Sequence, residues 1–328
     1  MDGFLSSLIA VNIAFQGLGD WLTAPMQFFS FLGSEDFFLI ALPLVYWCLD
    51  AALGLRIGVM LLVTQGLTPL FKMAFHGARP YWVSTSVEGL ASETGFGVPS
   101  GHSLTAAGVW GIAADGLKRT WAWVAASMVI LLIGLSRVYL GVHFLHDVLF
   151  GWALGGLTLW VFIKYWNPIA ARLKKWPMMN QILLAFAVSI GMILLAALIV
   201  FLSRGFVIPA EWIANATRDG GEAPNPFSME GIVTTMGTLF GLLAGVAWLA
   251  PRGGFQASGP AWKRALRFAV GLVGVAVFYV GLKLVFPDGE DFVALAFRYI
   301  RYALVGAWVS AGAPWVFAKL KLATTPNR

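Results

Sequence analysis

The sequence predicts an all-α, polytopic helical membrane protein with about nine transmembrane helices. Hydrophobic residues make up 59% of the 328 positions and charged residues only 12%. Mean hydropathy is +0.78, well beyond a soluble domain. Apolar runs recur at roughly the 20-residue length that a helix needs to cross a bilayer. They lie at 36–53, 55–75, 101–117, 121–141, 143–165, 181–203, 231–250, 266–285 and 292–317.

Each run is uninterrupted enough to count as a span, and some are a little short. Glycines clustered at 151–156 and 241–245 suit close helix packing in lipid, where small residues let backbones approach. Before the first run, residues 4–22 have apolar positions at mixed helical spacing, with Asp20 near the end. This segment reads as an interfacial helix, with a tenth span as the alternative. Asp2 stands where a signal peptide would carry a positive charge, so no leader is expected. The lone Cys48 falls inside the first run and permits no internal disulfide. Tryptophans near span ends, such as Trp21, Trp121, Trp166 and Trp212, read as interfacial belts.

Charge sets the expected orientation. The net charge is +6, but its distribution argues against nucleic acid as a partner. With loops numbered alternately, about 14 of the 22 Lys and Arg fall on one side, including Arg56, Lys118, Arg119, residues 164–175 and 252–267, and the tail. Almost every carboxylate falls on the other side, apart from Asp50 and Asp115. Positive-inside asymmetry then places the C-terminus in the cytosol and the N-terminus outside. Lys72, Arg79, Arg137 and all four histidines land on the outer, cation-poor face, where cations need a local reason.

The chain divides into an outer N-terminal segment (1–35), a core (36–205) and an outer loop with three C-terminal spans (206–328). The longest outer loops, 76–100 and 204–230, are rich in Gly, Pro, Ser and Thr, and loops of that length more often carry function.

Three short polar strings in the core carry chemistry. Lys72 lies near the outer end of the second span, and Arg79 follows with Pro80, which discourages helix continuation and aims both cations at one mouth. Pro99-Ser100-Gly101-His102 leads into the third span, whose unpaired amides form an anion site. Ser100 suits a cap, Gly101 lets an anion approach the backbone, and His102 sits one step into the helix. The third string, Ser136-Arg137 to His143 and Asp147, puts an imidazole and a carboxylate four residues apart on one helix face, a base with its orienter. Taken singly, the strings are compatible with helix anchoring, an ordinary helix start and a structural His-Asp pair. Together they supply what binding and cleaving a phosphate ester requires.

These strings resemble the three signatures of the type 2 phosphatidic acid phosphatase family, over residues 70–150. The superfamily includes vanadium haloperoxidases, which hold vanadate in the phosphate position. The resemblance implies that His143 attacks phosphorus, His102 protonates the leaving oxygen, Asp147 orients the nucleophile, and Lys72, Arg79, Ser100, Gly101 and Arg137 bind phosphate. No metal or other cofactor is expected. A wider likeness, through Gly77–Trp82, Glu93-Thr94-Gly95, Pro226-Phe227 and residues 237–241, points to the glucose-6-phosphatase branch. That branch carries glutamine where this chain has Asp147, whereas lipid phosphatases carry Asp. Expected substrates are therefore a phosphorylated lipid first and a sugar phosphate second, with a silent lipid-binding or transport protein as the non-enzymatic alternative. His76 and His146 fit no signature and read as pocket-rim residues.

Overall fold

A computed structural model describes residues 3–323, and among them every regular element is helical. In chain order these are α1 (Gly3–Gln16), α2 (Thr23–Phe31), α3 (Glu35–Leu44), α4 (Ala51–Phe75), α5 (Pro80–Val83), α6 (Gly101–Leu117), α7 (Thr120–Tyr139) and α8 (Leu145–Leu173). They continue with α9 (Met178–Leu202), α10 (Ala210–Ala216), α11 (Glu230–Leu249), α12 (Ala261–Ala276), α13 (Phe292–Ala307) and α14 (Ala313–Lys319).

Among the described residues, seven helical stretches are long and apolar enough to cross a membrane: Ala51–Val83, Thr120–Tyr139, Leu145–Leu173, Met178–Leu202, Glu230–Arg252, Ala261–Gly281 and Phe292–Lys319. Two of the nine expected runs differ. The run at 101–117 is a helix with those bounds, but its 17 residues span only about 25 Å. The run at 36–53 is broken, because helix stops at Leu49 and Asp50 is extended (φ −148°, ψ 112°). The Asp50 carboxylate accepts from the Ala52 and Leu53 amides at 2.8 and 2.9 Å and so starts α4. The helical segments Asp20–Phe31 and Glu35–Leu49 together form a pair bent by 50°. At the N-terminus, α1 has 14 residues, too short for the tenth span.

The chain folds as two compact units, each assembled from separated stretches. The first comprises the segment ending at Phe38 with Leu67–Phe162 and Leu198–Ser228. The second comprises Leu39–Gly66, Ile163–Ala197 and the chain from Met229 onward. In the first unit α6 and α8 touch closely: a Cβ on Gly151 would lie 2.7 Å from the Ser100 carbonyl oxygen, and one on Gly155 2.5 Å from that of Leu104. Only glycine permits this approach, which brings the start of α8 beside the start of α6. The same unit has an aromatic core built on Trp82, Phe96, Tyr139 and Phe144, with Phe206, Trp212 and Phe227 packed against it. In the second unit α11 packs on α13 at Gly241, where a Cβ would fall 1.8 Å from the Ala303 carbonyl oxygen.

Candidate active site

The three polar strings meet in the first unit. Arg79 is extended and precedes Pro80, which opens the short helix α5. Its side chain is fully buried. Arg79 Nε donates to the Gly95 carbonyl at 2.6 Å, Nη1 to that of Val142 at 2.8 Å and Nη2 to that of Phe96 at 3.1 Å. Nη1 also lies 3.3 Å from His143 Nε2. The guanidinium is thereby locked by the two loops it joins, 76–100 and 140–144, with its fork turned to the imidazole.

His143 sits in the turn just before α8 and is 1% exposed. Its Nδ1 is 3.2 Å from Asp147 Oδ2, which also accepts from the Phe144 amide at 2.9 Å. An ionised carboxylate only accepts, so the proton sits on Nδ1 and the Nε2 lone pair faces Arg79. Burial, then the Arg79 charge, outweigh the Asp147 hydrogen bond and push the imidazole down to about 3, so it stays neutral well below pH 7.

Ser100 caps α6. Its Oγ accepts from the Ser103 amide at 3.4 Å and hydroxyl at 3.0 Å, while its own amide donates to the Asp147 carbonyl at 3.0 Å. That amide is thus tied to α8, and the donors left to an anion here are the Ser100 hydroxyl and the following amides, beginning at Gly101. His102 lies within electrostatic range of Arg137, Glu93, His143 and Lys72. Lys72 lies beside Gly95, whose Cβ, were there one, would be 3.9 Å from the ammonium nitrogen.

Arg137, at the end of α7, donates through Nη1 to Ser30 Oγ at 2.5 Å and through Nη2 to Glu93 Oε1. Its buried Nε has no acceptor among the described residues. Glu93 closes the ring with its other oxygen, 3.3 Å from Arg79 Nη2. Burial raises the Glu93 carboxyl, but Arg79, Arg137 and Lys72 outweigh it and hold the group well below the usual carboxylate range.

Several groups here are not marked by any sequence string. Asn12 of α1 is fully buried and donates to the Val138 and His143 carbonyls at 2.8 and 3.0 Å, fixing the turn that carries His143. Ser30 supports Arg137, and Gly33 lies against the His102 ring. His146 Nε2 is 2.9 Å from Asp147 Oδ1, so a second imidazole stands beside the carboxylate. His76 takes a left-handed backbone (φ 53°), and its ring stacks on Phe206 at 4.5 Å with an interplanar angle of 8°. It also meets Phe96 and Phe227 edge-on, so it clasps the two long loops together. Among the described residues no group of three or more His, Cys, Asp or Glu side chains is placed to hold a metal ion.

Segment 204–230 covers loop 76–100 through polar contacts. Asn215 Nδ2 donates to the Trp82 carbonyl, Arg218 Nη1 to that of Thr85, the Glu222 amide to Ser92 Oγ and the Asn225 amide to the Thr94 carbonyl. Between them lies a cavity of about 180 Å³ whose lining includes Tyr81, Ser92, Asn215 and Arg218.

Comparison with known proteins accords with this arrangement. Residues 53–171 match the PAP2 superfamily, and residues 233–325 match the PAP2 superfamily phosphatase transmembrane extension. The chain is 31% identical over 186 residues to glucose-6-phosphatase 3 of Bos taurus, covering 49% of this chain and 54% of that protein. It is 31% identical over 204 residues to glucose-6-phosphatase catalytic subunit 1 of Haplochromis xenognathus, covering 52% and 70%. Identity to phosphatidylglycerophosphatase B of Bacillus subtilis is 29% over 168 residues, covering 47% and 80%. The chain thus spans about half the length of the first of these relatives. The first family match contains all three polar strings and the second lies in the C-terminal helices: the chain belongs to the PAP2 superfamily.

Proposed function

We propose that the protein is an integral membrane phosphomonoesterase that works through a phosphohistidine. The observation that carries this reading is the His143 ring, with Nδ1 on Asp147 and Nε2 presented to Arg79 at 3.3 Å. Neutral His143 attacks phosphorus through Nε2, the bond to the ester oxygen breaks, and His102 gives that oxygen its proton. Asp147 holds the Nδ1 proton and stabilises the cationic ring of the intermediate. His102 then takes a proton from water, whose oxygen attacks phosphorus, and inorganic phosphate forms as the P–N bond breaks. Arg79, Arg137 and Lys72, with the Ser100 hydroxyl and the Gly101 amide, bind the non-bridging oxygens, where the transition state carries its charge. Counted with the runs at 36–53 and 101–117 as crossings, the charge asymmetry of the loops favours an extracytosolic site and N-terminus and a cytosolic C-terminus.

For the leaving group, the polar cover over loop 76–100 favours a small hydroxylated alcohol, and hence a sugar phosphate, reached from water. The similarity to the glucose-6-phosphatases points the same way. A lipid phosphate is the second reading. It is favoured by Asp147 at the orienting position and by the match to phosphatidylglycerophosphatase B.

Two measurements test these readings. His143→Ala, reconstituted in membranes, should fold but release no phosphate, and wild type quenched during turnover should carry acid-labile, base-stable phosphate on His143. Turnover in His143→Ala at even a hundredth of the wild-type rate would remove the nucleophile. Phosphate release from glucose 6-phosphate, phosphatidate, phosphatidylglycerophosphate, sphingoid phosphate and isoprenyl phosphates should be fastest with the sugar ester. A lipid ester ahead of it would reverse the substrate order.

A further inference from the structure

The groups that would grip a phosphate are already holding an anion. Glu93 Oε2 stands 3.3 Å from Arg79 Nη2, and Oε1 takes a hydrogen bond from Arg137 Nη2. Arg79 Nη2 also donates to the Phe96 carbonyl, and the other nitrogens of the two guanidiniums meet carbonyls, His143 or Ser30, apart from Arg137 Nε. A phosphoryl group that bridges the two Nη2 groups competes with Glu93 for them. A second anion cannot join the carboxylate there without like-charge repulsion in a poorly screened site.

Glu93 is also the member of the pair set built to move. Its side chain is 24% exposed, against 0% for Arg79 and 3% for Arg137. Its main chain, by contrast, is pinned twice by one hydroxyl: the Glu93 amide donates to Tyr81 Oη at 3.1 Å, and Tyr81 Oη donates to the Glu93 carbonyl at 3.0 Å. The carboxylate can therefore leave by rotating its side chain towards solvent while the loop stays in place. Arg79 keeps its three carbonyl bonds throughout, so its fork holds its position when the carboxylate departs.

We propose that Glu93 is a resident anion in the phosphate seat. It leaves Arg79 and Arg137 when a phosphoryl group binds, and its return displaces inorganic phosphate at the end of each turnover. The inference rests on the reading that these two arginines bind phosphate. In this role Glu93 weakens product binding and keeps the site from stalling on phosphate. A fixed strut that merely spaces the guanidiniums would do the opposite, because its loss would disorder the seat and weaken anion binding. The sign of the effect therefore separates the two roles.

The experiment is inhibition of the full-length, membrane-reconstituted protein by inorganic phosphate and orthovanadate, in wild type, Glu93→Gln and Glu93→Asp. Thermal unfolding confirms that each variant is folded. Glu93→Gln removes the charge at constant shape and should lower both inhibition constants at least tenfold. Glu93→Asp keeps the charge on an arm one methylene shorter, so it should lower them by a smaller factor, and its sign decides the matter if the glutamine variant does not fold. Inhibition constants that are unchanged or raised in the folded variants, with wild type normally inhibited, would overturn the resident-anion role alone. If neither anion inhibits wild type or raises its thermal unfolding temperature, the phosphate seat and its occupant fall together.

Discussion

Among the described residues two arginines are wholly excluded from solvent, Arg79 in the first unit and Arg267 in the second, and they are used differently. Arg267 donates through Nη1 to the Gln256 carbonyl at 3.3 Å and through Nη2 to those of Ala257 and Ser258 at 3.0 and 2.9 Å, with the Phe255 ring alongside. Every partner is main chain within eleven positions, so this guanidinium ties a loop to the start of its own helix. Arg79 likewise takes three carbonyls, but it also reaches His143, 64 residues away, and the carboxylate of Glu93. Burial of a cation is thus no mark of a site in this fold. What distinguishes Arg79 is that part of its hydrogen-bonding capacity goes to a titratable ring and to a partly exposed carboxylate.

The contrast can be tested by substitution. Arg79→Lys replaces a planar fork by a point charge and should lower kcat/KM by about 10²–10³-fold. Arg267→Met should leave kcat/KM per folded molecule unchanged but cost about 2–4 kcal/mol of stability, because three carbonyls lose their donors. The two would be told apart by steady-state kinetics beside thermal unfolding, and a catalytic loss at Arg267 would break the comparison. Asp147→Asn keeps a side chain next to His143 but no longer fixes Nδ1–H, and kcat should drop about 10²-fold with a smaller change in KM.

A smaller effect sharpens the comparison from the side of charge. His143 is driven down to about 3 first by burial and then by Arg79, and in the proposed mechanism it is the neutral ring that attacks. The acid limb of kcat/KM due to this ring should therefore lie well below the ordinary imidazole value, so that activity survives from pH 7 to 5. Replacing Arg79 by Met removes a cation that opposes protonation and should move that limb upward. A wild-type limb near 6.5 from this ring would contradict the geometry. Smallest of all, His76→Ala loosens the clasp on Phe206 and Phe227 and should raise KM a few-fold with kcat nearly unchanged.

Much of this arrangement is legible in residue order, because the Arg79-Pro80, Pro99 to His102 and Arg137 to Asp147 strings each fall at a helix end. Helix ends combine with hydropathy to fix both position and face. The bounds of α6 follow for the same reason, from a Ser-Gly start and an apolar run. The helix break at Asp50 is hidden by the hydrophobic residues on both sides, although an aspartate two residues before an alanine-leucine start is itself a capping signal. Glu93 reads as a loop carboxylate because its two arginines come from 14 and 44 positions away. Asn12 and Ser30 lie more than 100 residues from their partners, and no local periodicity encodes such pairings. His146 looks incidental because position 147 already has a histidine partner at the expected spacing. Only the geometry shows that an imidazole nitrogen lies beside each carboxylate oxygen.

The two hydrogen bonds from Asn12 to the Val138 and His143 carbonyls make the amino-terminal helix a brace for the turn that carries His143. A chimera or a minimal fragment built from residues 53–171 alone would carry every string yet lack this brace and the hydroxyl of Ser30. Its inactivity would then say nothing about the chemistry. Any engineered version that is to keep the geometry of this turn has to begin its graft upstream of position 12, and a bulky fusion that unwinds that first helix should disturb the His143 turn from a distance.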